Sequence, residues 1–495
     1  MKDKKIKYIH IILIIIGAAF ILSTAFHSDI WFDESYSVAI AKHDFADIYN
    51  ITGHDVHPPV YYWMLHVVYL IFGNNIMIFR MFSVLAIILL GILGYTHIRK
   101  DFGEKVGVLF SFFTFFLPVM STYSQEIRMY SWGCFIISVM AIYAYRFYVA
   151  VKQNDKYIKN LVIFGVFSIL ACYLHYYALA TAGVINLLLL IFVIKNRKQN
   201  KKALIHFLIL AGIQIVLYIP WLLFMTSQVG HVKNGFWIVM GPINTTVEVL
   251  SFQFRRQLDT NFAFNLHTIV ALAAAVLMYI YLIIKIIKEK KNLQFGLISL
   301  GIYIGVIFIV CLISFYTPIL FSRYLMIMTG LYIFGLAYII SFEKKKLIIG
   351  IICFITLCLS LISNIANFKI NYDSSNMKQI EYLKENIQEG DILVYSNIGN
   401  GGVIAAFFPE YKQYFYNGSH WDVEEAYKAY GPGMETVRDY EFLKNYTGRI
   451  WLIDSENMGF WNEFPKENIN ILKDSVRFDT KYQNYIYSIM LVEKN

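Results

Sequence analysis

Eleven apolar runs of about twenty residues constrain this chain more than any other feature of its sequence, because a helix that spans a bilayer needs about 20 largely apolar residues. The runs lie at 8–26, 76–97, 106–122, 130–150, 160–175, 177–194, 203–224, 266–287, 294–315, 323–341 and 347–366. Of the 495 residues, 58% are hydrophobic and 16% are charged, against about 25% charged residues in ordinary soluble proteins. The sequence therefore predicts a polytopic α-helical membrane protein of the multi-pass cell-membrane class.

The basic residues fix a predicted orientation, because loops rich in Lys and Arg remain on the cytoplasmic side of a membrane. Six basic loops fall on one side of the eleven-span arrangement: Lys2–Lys7, Arg99–Lys105, Lys152–Lys159, Lys195–Lys202, Lys285–Lys291 and Glu343–Lys346. The net charge of +9 therefore reports topology, and no nucleic-acid partner is predicted. The first run lacks a small-residue cleavage site, which favours a retained signal-anchor helix.

One further apolar run, 57–72, would reverse every later basic loop if it crossed the bilayer. It is therefore predicted as a helix that lies along or dips into the outer interface, with Pro58 and Pro59 at its start. Four segments are then predicted to lie on the outer side of the membrane: the loop at 27–75, the turn at 123–129, the loop at 225–265 and the C-terminal region.

Two domains are predicted. Residues 1–366 form a transmembrane domain that includes the outer loop at 27–75, and residues 367–495 form an extracytoplasmic α/β domain. Within the second domain, Asp391–Ser396, Gln413–Tyr416 and Arg449–Asp454 have the composition of strands, and Met377–Asn386 that of a helix. The five cysteines all lie inside apolar runs, so no disulfide framework is predicted.

The first outer loop carries adjacent carboxylates, Asp33 and Glu34, between aromatic residues. An Asp partly sheltered by apolar neighbours can serve as a general base. The alternative is that Asp33 caps an interfacial helix.

About twenty residues later, Asp55 and His57 come just before the two prolines. Asp55 can cap the next helix, and His57 can donate to a phosphate, ligate a metal with a carboxylate, or be a satisfied interfacial histidine.

Two arginines on the predicted outer side, Arg128 and Arg323, run against the positive-inside tendency. Arg128 follows Glu126, and the alternative to a functional role is that the arginine snorkels with Glu126 as its partner. Arg323 precedes Tyr324 at the outer end of a predicted span. An anionic ligand such as a lipid phosphate would explain both arginines.

Together these motifs resemble a known family. Trp31–Tyr36 (WFDESY), Asp55–Tyr62 (DVHPPVYY), Tyr123–Tyr130 (YSQEIRMY) and, more weakly, Ser322–Leu325 (SRYL) are similar to the polytopic GT-C type glycosyltransferases that use polyprenyl-phosphate sugars. The likeness is greatest to the dolichyl-phosphate-mannose protein mannosyltransferase family, glycosyltransferase family 39, whose bacterial relatives include the lipid A aminoarabinose transferases. The C-terminal domain matches no family in this way.

The resemblance implies a role for each matched position. Asp33 would be the catalytic base, and Glu34 would support it or touch the acceptor. Asp55, His57, Glu126 and Arg128 would line the same cavity, and Arg323 with Tyr324 would face the donor phosphate. Some relatives hold a divalent metal near these carboxylates and others do not, so no cofactor is predicted with certainty and a divalent metal remains open.

The predicted activity is an inverting, polyprenyl-phosphate-sugar-dependent hexosyltransferase at the outer membrane face. Its partners would be the lipid-linked sugar donor, membrane lipid, and an acceptor that is a protein, a lipid or a cell-wall glycan. The alternative is a lipid-linked-sugar transporter or a non-catalytic membrane receptor. The spans carry few charges near the bilayer midplane, where transporters usually place their binding sites, and this favours the transferase.

Overall fold

The computed structural model describes residues 2–233, 238, 241–256, 266–289, 292–417, 424–455, 458–462 and 464–495. The predicted outer loop at 225–265 and the basic loop at 285–291 therefore lie partly outside the described residues. Contacts divide the chain into two compact units. The first unit comprises residues 1–25, 57–61 and 80–367, and the second comprises residues 26–56, 62–79 and 368–495.

Helices make up most of the first unit and part of the second. In chain order they are α1 Lys2–Leu22, α2 Phe32–Ile40, α3 Phe45–Gly53, α4 Val60–Phe72, α5 Ile76–Leu93, α6 Arg99–Phe102, α7 Glu104–Phe116, α8 Met120–Tyr123, α9 Tyr130–Lys152, α10 Ile158–Cys172, α11 Tyr176–Lys195, α12 Lys201–Lys233, α13 Pro242–Ser251, α14 Leu266–Glu289, α15 Gln294–Ser314, α16 Thr329–Ser341, α17 Lys346–Asn371, α18 Lys378–Asn386, α19 Ile398–Phe407 and α20 Glu424–Tyr427. A π-helical turn, Gly94–Ile98, joins α5 to α6, and a 3₁₀ segment, Ser322–Met328, leads into α16.

Within the described residues, nine helical segments are long and apolar enough to cross a membrane. They are Lys4–Leu22, Ile76–Phe102, Tyr130–Lys152, Tyr176–Lys195, Lys201–Gly230, Leu266–Glu289, Gln294–Ser314, Ser322–Ser341 and Lys346–Asn371. Each coincides with one of the predicted spans, which confirms the polytopic helical fold.

The other two predicted spans are shorter helices than the sequence suggests. The run at 106–122 forms α7, with 13 residues, and the run at 160–175 forms α10, with 15 residues. At 1.5 Å per residue they measure about 20 and 22 Å, less than the roughly 30 Å of a hydrocarbon core. The helix α7 ends early because Leu117 precedes Pro118 and adopts the extended conformation that a following proline favours.

The first outer loop is helical. It contains α2, α3 and α4, and the last of these confirms the predicted helix after Pro58 and Pro59. Asp44 caps α3 by accepting hydrogen bonds from the backbone of Ala46 and Asp47. The far end of α4 is apolar yet exposed, as expected of a helix that meets lipid, although its depth in the membrane remains a prediction.

A six-stranded sheet organises the C-terminal region. Its strands are β1 Ile392–Tyr395, β2 Lys412–Tyr416, β3 Met434–Val437, β4 Gly448–Asp454, β5 Ile469–Asp479 and β6 Ile486–Lys494, in the spatial order β3-β2-β1-β4-β6-β5. The first four are parallel, whereas β6 and β5 are antiparallel additions. The three predicted strands are β1, β2 and β4, and the predicted helix is α18, which confirms the α/β prediction.

The buried central strands explain why those segments were recognisable. All four residues of β1 are buried, as are the last five of β4, and a strand covered on both faces is uninterruptedly apolar. In the second unit, α19 packs against α2 of the first outer loop. Gly402 allows this close approach, because a Cβ at that position would come within 2.5 Å of the Tyr430 hydroxyl and 3.2 Å of Ser35 Oγ.

Candidate functional site

The predicted site residues are distributed over both units. The first unit contains five of them, namely His57, Glu126, Arg128, Arg323 and Tyr324. The second unit contains the three acidic residues of the first outer loop, namely Asp33, Glu34 and Asp55.

In the first unit, the segment between α8 and α9 is an irregular and fully buried loop. Arg80 holds it from α5 by donating a 3.0 Å hydrogen bond to the Gln125 carbonyl, and the Arg80 side chain is 0% exposed. Arg128 is 3% exposed, and its Nη2 lies 3.4 Å from Nε2 of His57. Because arginine has no acceptor atom, a hydrogen bond in this contact runs from the Arg128 guanidinium to His57 Nε2. The sequence motifs around 57 and 128 therefore meet in the structure.

The side chain of His175, which no sequence motif predicts, lies beside the contact between Arg128 and His57. His175 is the N-cap of α11, and its Nδ1 accepts a 3.1 Å hydrogen bond from the backbone of Tyr177. Its ring centroid lies 5.6 Å from that of His57 and 4.8 Å from that of Tyr324. The accepting Nδ1 leaves the ring proton on Nε2 in the neutral tautomer. In the sequence His175 is the last residue of the predicted span 160–175, and no motif marks it.

A second group of charged side chains surrounds Tyr123. Burial raises the pKa of the Tyr123 hydroxyl well above its usual value, the Glu126 carboxylate raises the pKa further, and the guanidinium groups of Arg323 and Arg255 lower it. These three charged side chains are therefore electrostatic neighbours of one hydroxyl. Arg323 also stacks over the ring of Phe321 at 4.7 Å.

Arg255 and Glu248 are site residues that sequence reasoning missed. They lie 3.6 Å apart, between Arg255 Nη1 and Glu248 Oε1, and Ser322 Oγ donates to Glu248 Oε2 at 3.0 Å. Glu248 lies in α13 and Arg255 shortly after that helix, within the region 225–265 that is predicted as an outer loop and where the sequence shows no motif around them. The Tyr130 ring joins the two groups, since it lies 5.9 Å from the Tyr123 ring and 6.4 Å from the His175 ring.

These residues form what is called here the arginine cluster, in which four arginines accompany two glutamates and two histidines. Its members are His57, Arg80, Glu126, Arg128, His175, Glu248, Arg255 and Arg323. The side chains of Arg80, Arg128 and Arg255 are buried and that of Arg323 is half-buried. The arginines outnumber the glutamates, which makes the cluster suited to a phosphate, a group that arginine can bind through two parallel hydrogen bonds.

An apolar cavity of about 530 Å³ lies among the helices of the same unit. Its walls come from α9, α11, α15 and α16, and include Ile142, Ile185, Leu188, Ile298 and Phe334. Ser138 on its wall is eight residues beyond Tyr130, about 12 Å along α9 from that tyrosine. The cavity has the dimensions and chemistry to hold an alkyl or isoprenoid chain.

In the second unit, the two adjacent carboxylates occupy different environments. The helix α2 begins at Phe32 with Trp31 as its N-cap, so Asp33 is inside the first turn and not at the cap. Glu34 is 0% exposed and accepts hydrogen bonds from the Trp31 backbone at 3.4 Å and from the Tyr482 hydroxyl at 3.0 Å. The Asp33 side chain is only half-buried. Glu34 thus has a structural setting, whereas Asp33 is the more accessible carboxylate.

Asp55 follows α3 in a half-buried turn. Since α4 begins only at Val60, Asp55 does not cap that helix. Its charge acts on Tyr427: burial, and then the Asp55 carboxylate, raise the pKa of the Tyr427 hydroxyl to about 12.

Within the described residues, no group of three or more His, Cys, Asp or Glu side chains is arranged to hold a metal ion, and metal dependence stays open.

Comparison with known proteins agrees with this architecture. Residues 56–224 match the model of the dolichyl-phosphate-mannose-protein mannosyltransferase family. The crystal structure of ArnT from Cupriavidus metallidurans in the apo state is similar with a TM-score of 0.51 and 11% identity, over 99% of this chain and 98% of that one. The same ArnT bound to undecaprenyl phosphate gives a TM-score of 0.49 and 13% identity, over 97% of each chain.

The archaeal oligosaccharyltransferase AglB from Archaeoglobus fulgidus gives a TM-score of 0.44 and 13% identity, over 81% of this chain and 64% of that one. No curated protein matches the chain in sequence. The resemblance predicted from the motifs is confirmed by the family match and by the fold of ArnT. The chain is therefore a polytopic membrane protein with a fold similar to that of ArnT, and over residues 56–224 it resembles the dolichyl-phosphate-mannose-protein mannosyltransferases, which supports a glycosyltransferase.

Proposed function

We propose that this protein is an inverting glycosyltransferase that moves a sugar from a polyprenyl-phosphate donor to an acceptor hydroxyl at the outer face of the cell membrane. The observation that carries the proposal is the arginine cluster, in which the almost fully buried Arg128 contacts His57 while Arg255 and Arg323 flank Tyr123. Guanidinium groups in a sheltered site bind a phosphate and stabilise the charge that develops as a phosphate departs.

A lipid-linked donor is supported by the surroundings of this cluster. The unit that holds it consists largely of apolar helices, and a cavity of about 530 Å³ with apolar walls lies among them. The family that matches residues 56–224 is itself named for a sugar joined to a lipid phosphate. A donor of this kind would place its phosphate among the arginines and its hydrocarbon chain in contact with the helices.

The reaction needs three events. The oxygen of the acceptor hydroxyl forms a bond to the anomeric carbon, and the bond from that carbon to the phosphate oxygen breaks with its electron pair leaving on the lipid phosphate. The hydroxyl proton passes to a base. Because attack in one step comes from the face opposite the leaving group, the anomeric configuration inverts. The phosphate is a good leaving group, so cationic stabilisation by the arginines replaces an acid catalyst.

Asp33 is the proposed base. It lies in the first turn of α2 and its side chain is half-buried, whereas Glu34 next to it is fully buried and hydrogen-bonded. A carboxylate in that setting can accept the proton of an attacking hydroxyl. In this proposal His57, Glu126, Asp55 and Tyr324 line the substrate cavity, and Glu34 supports Asp33.

The proposed site and the C-terminal domain are extracytoplasmic, since the six basic loops of the sequence are assigned to the cytoplasm. The acceptor is a protein, a lipid or a cell-wall glycan that reaches this face. The boundary between the transmembrane and the C-terminal domain is placed at residues 366 and 367.

The test is transfer of label from defined donors. Membranes containing the protein are incubated with polyprenyl-phosphate sugars labelled in the sugar, and the protein, lipid and glycan fractions are then separated. Transfer of label to one fraction, with stoichiometric release of lipid phosphate, supports the proposal and identifies both sugar and acceptor. Movement of intact labelled lipid across sealed vesicles without release of lipid phosphate would instead identify a transporter.

A further inference from the structure

The segment around Asp33 is held by hydrogen bonds from the C-terminal region, all of them within the second unit. Tyr482 donates to Glu34 Oε2 at 3.0 Å, and the Tyr485 hydroxyl accepts from the Phe32 backbone at 3.1 Å. Because these bonds fall on the residues immediately before and after Asp33, they fix its backbone from both sides.

Two more bonds extend this restraint along the loop. The hydroxyl of Tyr430 lies 2.9 Å from Ser35 Oγ, and Asn376 Nδ2 donates to Asp29 Oδ2 at 2.9 Å. The Ser35 contact comes from a different part of the C-terminal region than the bonds of Tyr482 and Tyr485. The restraint on the loop therefore has two separate sources.

Tyr482 and Tyr485 belong to the turn between β5 and β6, and this turn is itself rigidly closed. The backbone of Thr480 donates to the Tyr485 carbonyl at 2.8 Å, and the Tyr485 backbone returns a 3.1 Å bond to Thr480 Oγ1. Asn376 Oδ1 accepts from the backbones of Lys481 and Tyr482, both at 2.9 Å. Asn376 thus connects the turn to Asp29 of the outer loop through its two side-chain atoms.

We propose that the β5–β6 turn positions the catalytic loop, with Tyr482 as a positioning residue that holds Asp33 in its reactive place through Glu34. This inference rests on the proposed function and extends it, because it makes the C-terminal domain part of the catalytic machinery. Glu34 is 0% exposed, and a buried carboxylate is costly unless donors surround it. Removing the Tyr482 hydroxyl takes a hydrogen-bond donor away from this carboxylate, and we expect the first turn of α2 to shift and to displace Asp33.

The decisive variant is Tyr482→Phe, which removes one hydroxyl and keeps the ring. Its matched control is Tyr446→Phe, since the Tyr446 hydroxyl donates to the carbonyls of Gly390 and Arg449, at 3.1 and 2.9 Å, inside the same domain. Tyr430→Phe is the second test variant, because it removes the hydrogen bond between the Tyr430 hydroxyl and Ser35 Oγ, which comes from another part of the C-terminal region. Hydrogen–deuterium exchange of the peptide covering residues 29–36 is measured on each full-length protein, together with kcat and the KM for the donor.

In Tyr482→Phe and Tyr430→Phe, amide exchange in residues 29–36 should accelerate while it stays at the wild-type rate in Tyr446→Phe. Small displacements of a catalytic group can cost about 100-fold in rate, so kcat should fall by roughly 10- to 100-fold with little change in the donor KM. Wild-type exchange in Tyr482→Phe, or faster exchange with the kcat of the control, would overturn the inference. If even the wild-type protein transfers no sugar, the proposed function fails, whereas the exchange rates still decide whether the turn holds the loop.

Discussion

Arg128 Nη2 and His57 Nε2 lie 3.4 Å apart, which joins two motifs that are 71 residues apart in the sequence. Each motif alone has an ordinary structural explanation, a helix start for one and a snorkelling arginine for the other. Because this contact belongs to the cluster that also holds Arg255 and Arg323, the proposed function assigns it to the donor phosphate, and the first prediction follows from that proposal.

Replacing Arg128 with alanine should weaken donor binding as well as turnover. A hydrogen bond to a charged group contributes about 1.5–3 kcal/mol, so the affinity for a lipid-phosphate donor should fall by roughly 10- to 100-fold. Arg146→Ala is the matched control, since Arg146 at the other end of α9 pairs with Asp101 through bonds of 2.8 and 3.1 Å. Equilibrium binding of a labelled donor distinguishes the two variants. Equal losses in both would mean that Arg128 only stabilises the fold.

The orientation of the chain can be tested with single cysteines in a background that lacks the five native ones. Ser28 and Ser475 are exposed in the second unit, and Gln199 is exposed between α11 and α12. A thiol reagent that cannot cross membranes should label cysteines at positions 28 and 475 on intact cells, and should label position 199 only after lysis. Labelling of position 199 on intact cells would reverse the assigned sidedness.

Lys42 should make the stability of the second unit depend on pH. Burial lowers the pKa of its ammonium group to about 8, partly opposed by Glu410, and its Nζ lies 3.5 Å from the Ala406 carbonyl. Between about pH 8 and its ordinary pKa of 10.5 the unfolded chain holds this proton and the folded chain does not. Raising the pH through that window therefore stabilises the fold, and the stabilisation is lost as the pH falls toward 8.

The measurement is the midpoint of thermal unfolding in detergent across this pH range. Compared with Lys42→Met, the wild-type midpoint should rise more steeply as the pH increases. Parallel curves for the two proteins would show that Lys42 does not titrate differently in the folded chain.

The sequence predicted the membrane helices and the central strands because both are uninterruptedly apolar. It did not predict β5, whose residues are largely exposed on both faces, so that no alternation of polar and apolar residues marks the strand. The cysteine-free α/β region was recognisable, whereas its contacts with Glu34 and Ser35 were not. Hydrogen bonds such as that of Tyr482 join residues 448 positions apart and leave no local pattern.

The candidate site is likewise only partly predictable from local sequence. Arg128 and Arg323 were predicted because an arginine at the outer end of a span is unusual, and His57 because it precedes two prolines. His175, Glu248 and Arg255 lack such a signal. They reach the cluster through the packing of α11, of α13 and of the segment just after α13, which sequence periodicity does not encode.

The most direct test of the account is the turnover of Asp33→Asn per folded molecule, measured with a polyprenyl-phosphate sugar that the wild-type protein uses. Asparagine keeps the shape of the side chain but cannot take the proton, and general-base contributions are typically about 10²–10⁴-fold. Asp47→Asn serves as the control, because Asp47 lies in the first turn of α3 in the same loop and its side chain is 61% exposed. We expect kcat to drop by that order in Asp33→Asn alone, with donor binding and thermal stability close to wild type. An Asp33→Asn protein that keeps most of its transfer rate would contradict the assignment of Asp33 as the base and shift it to Glu34 or Asp55.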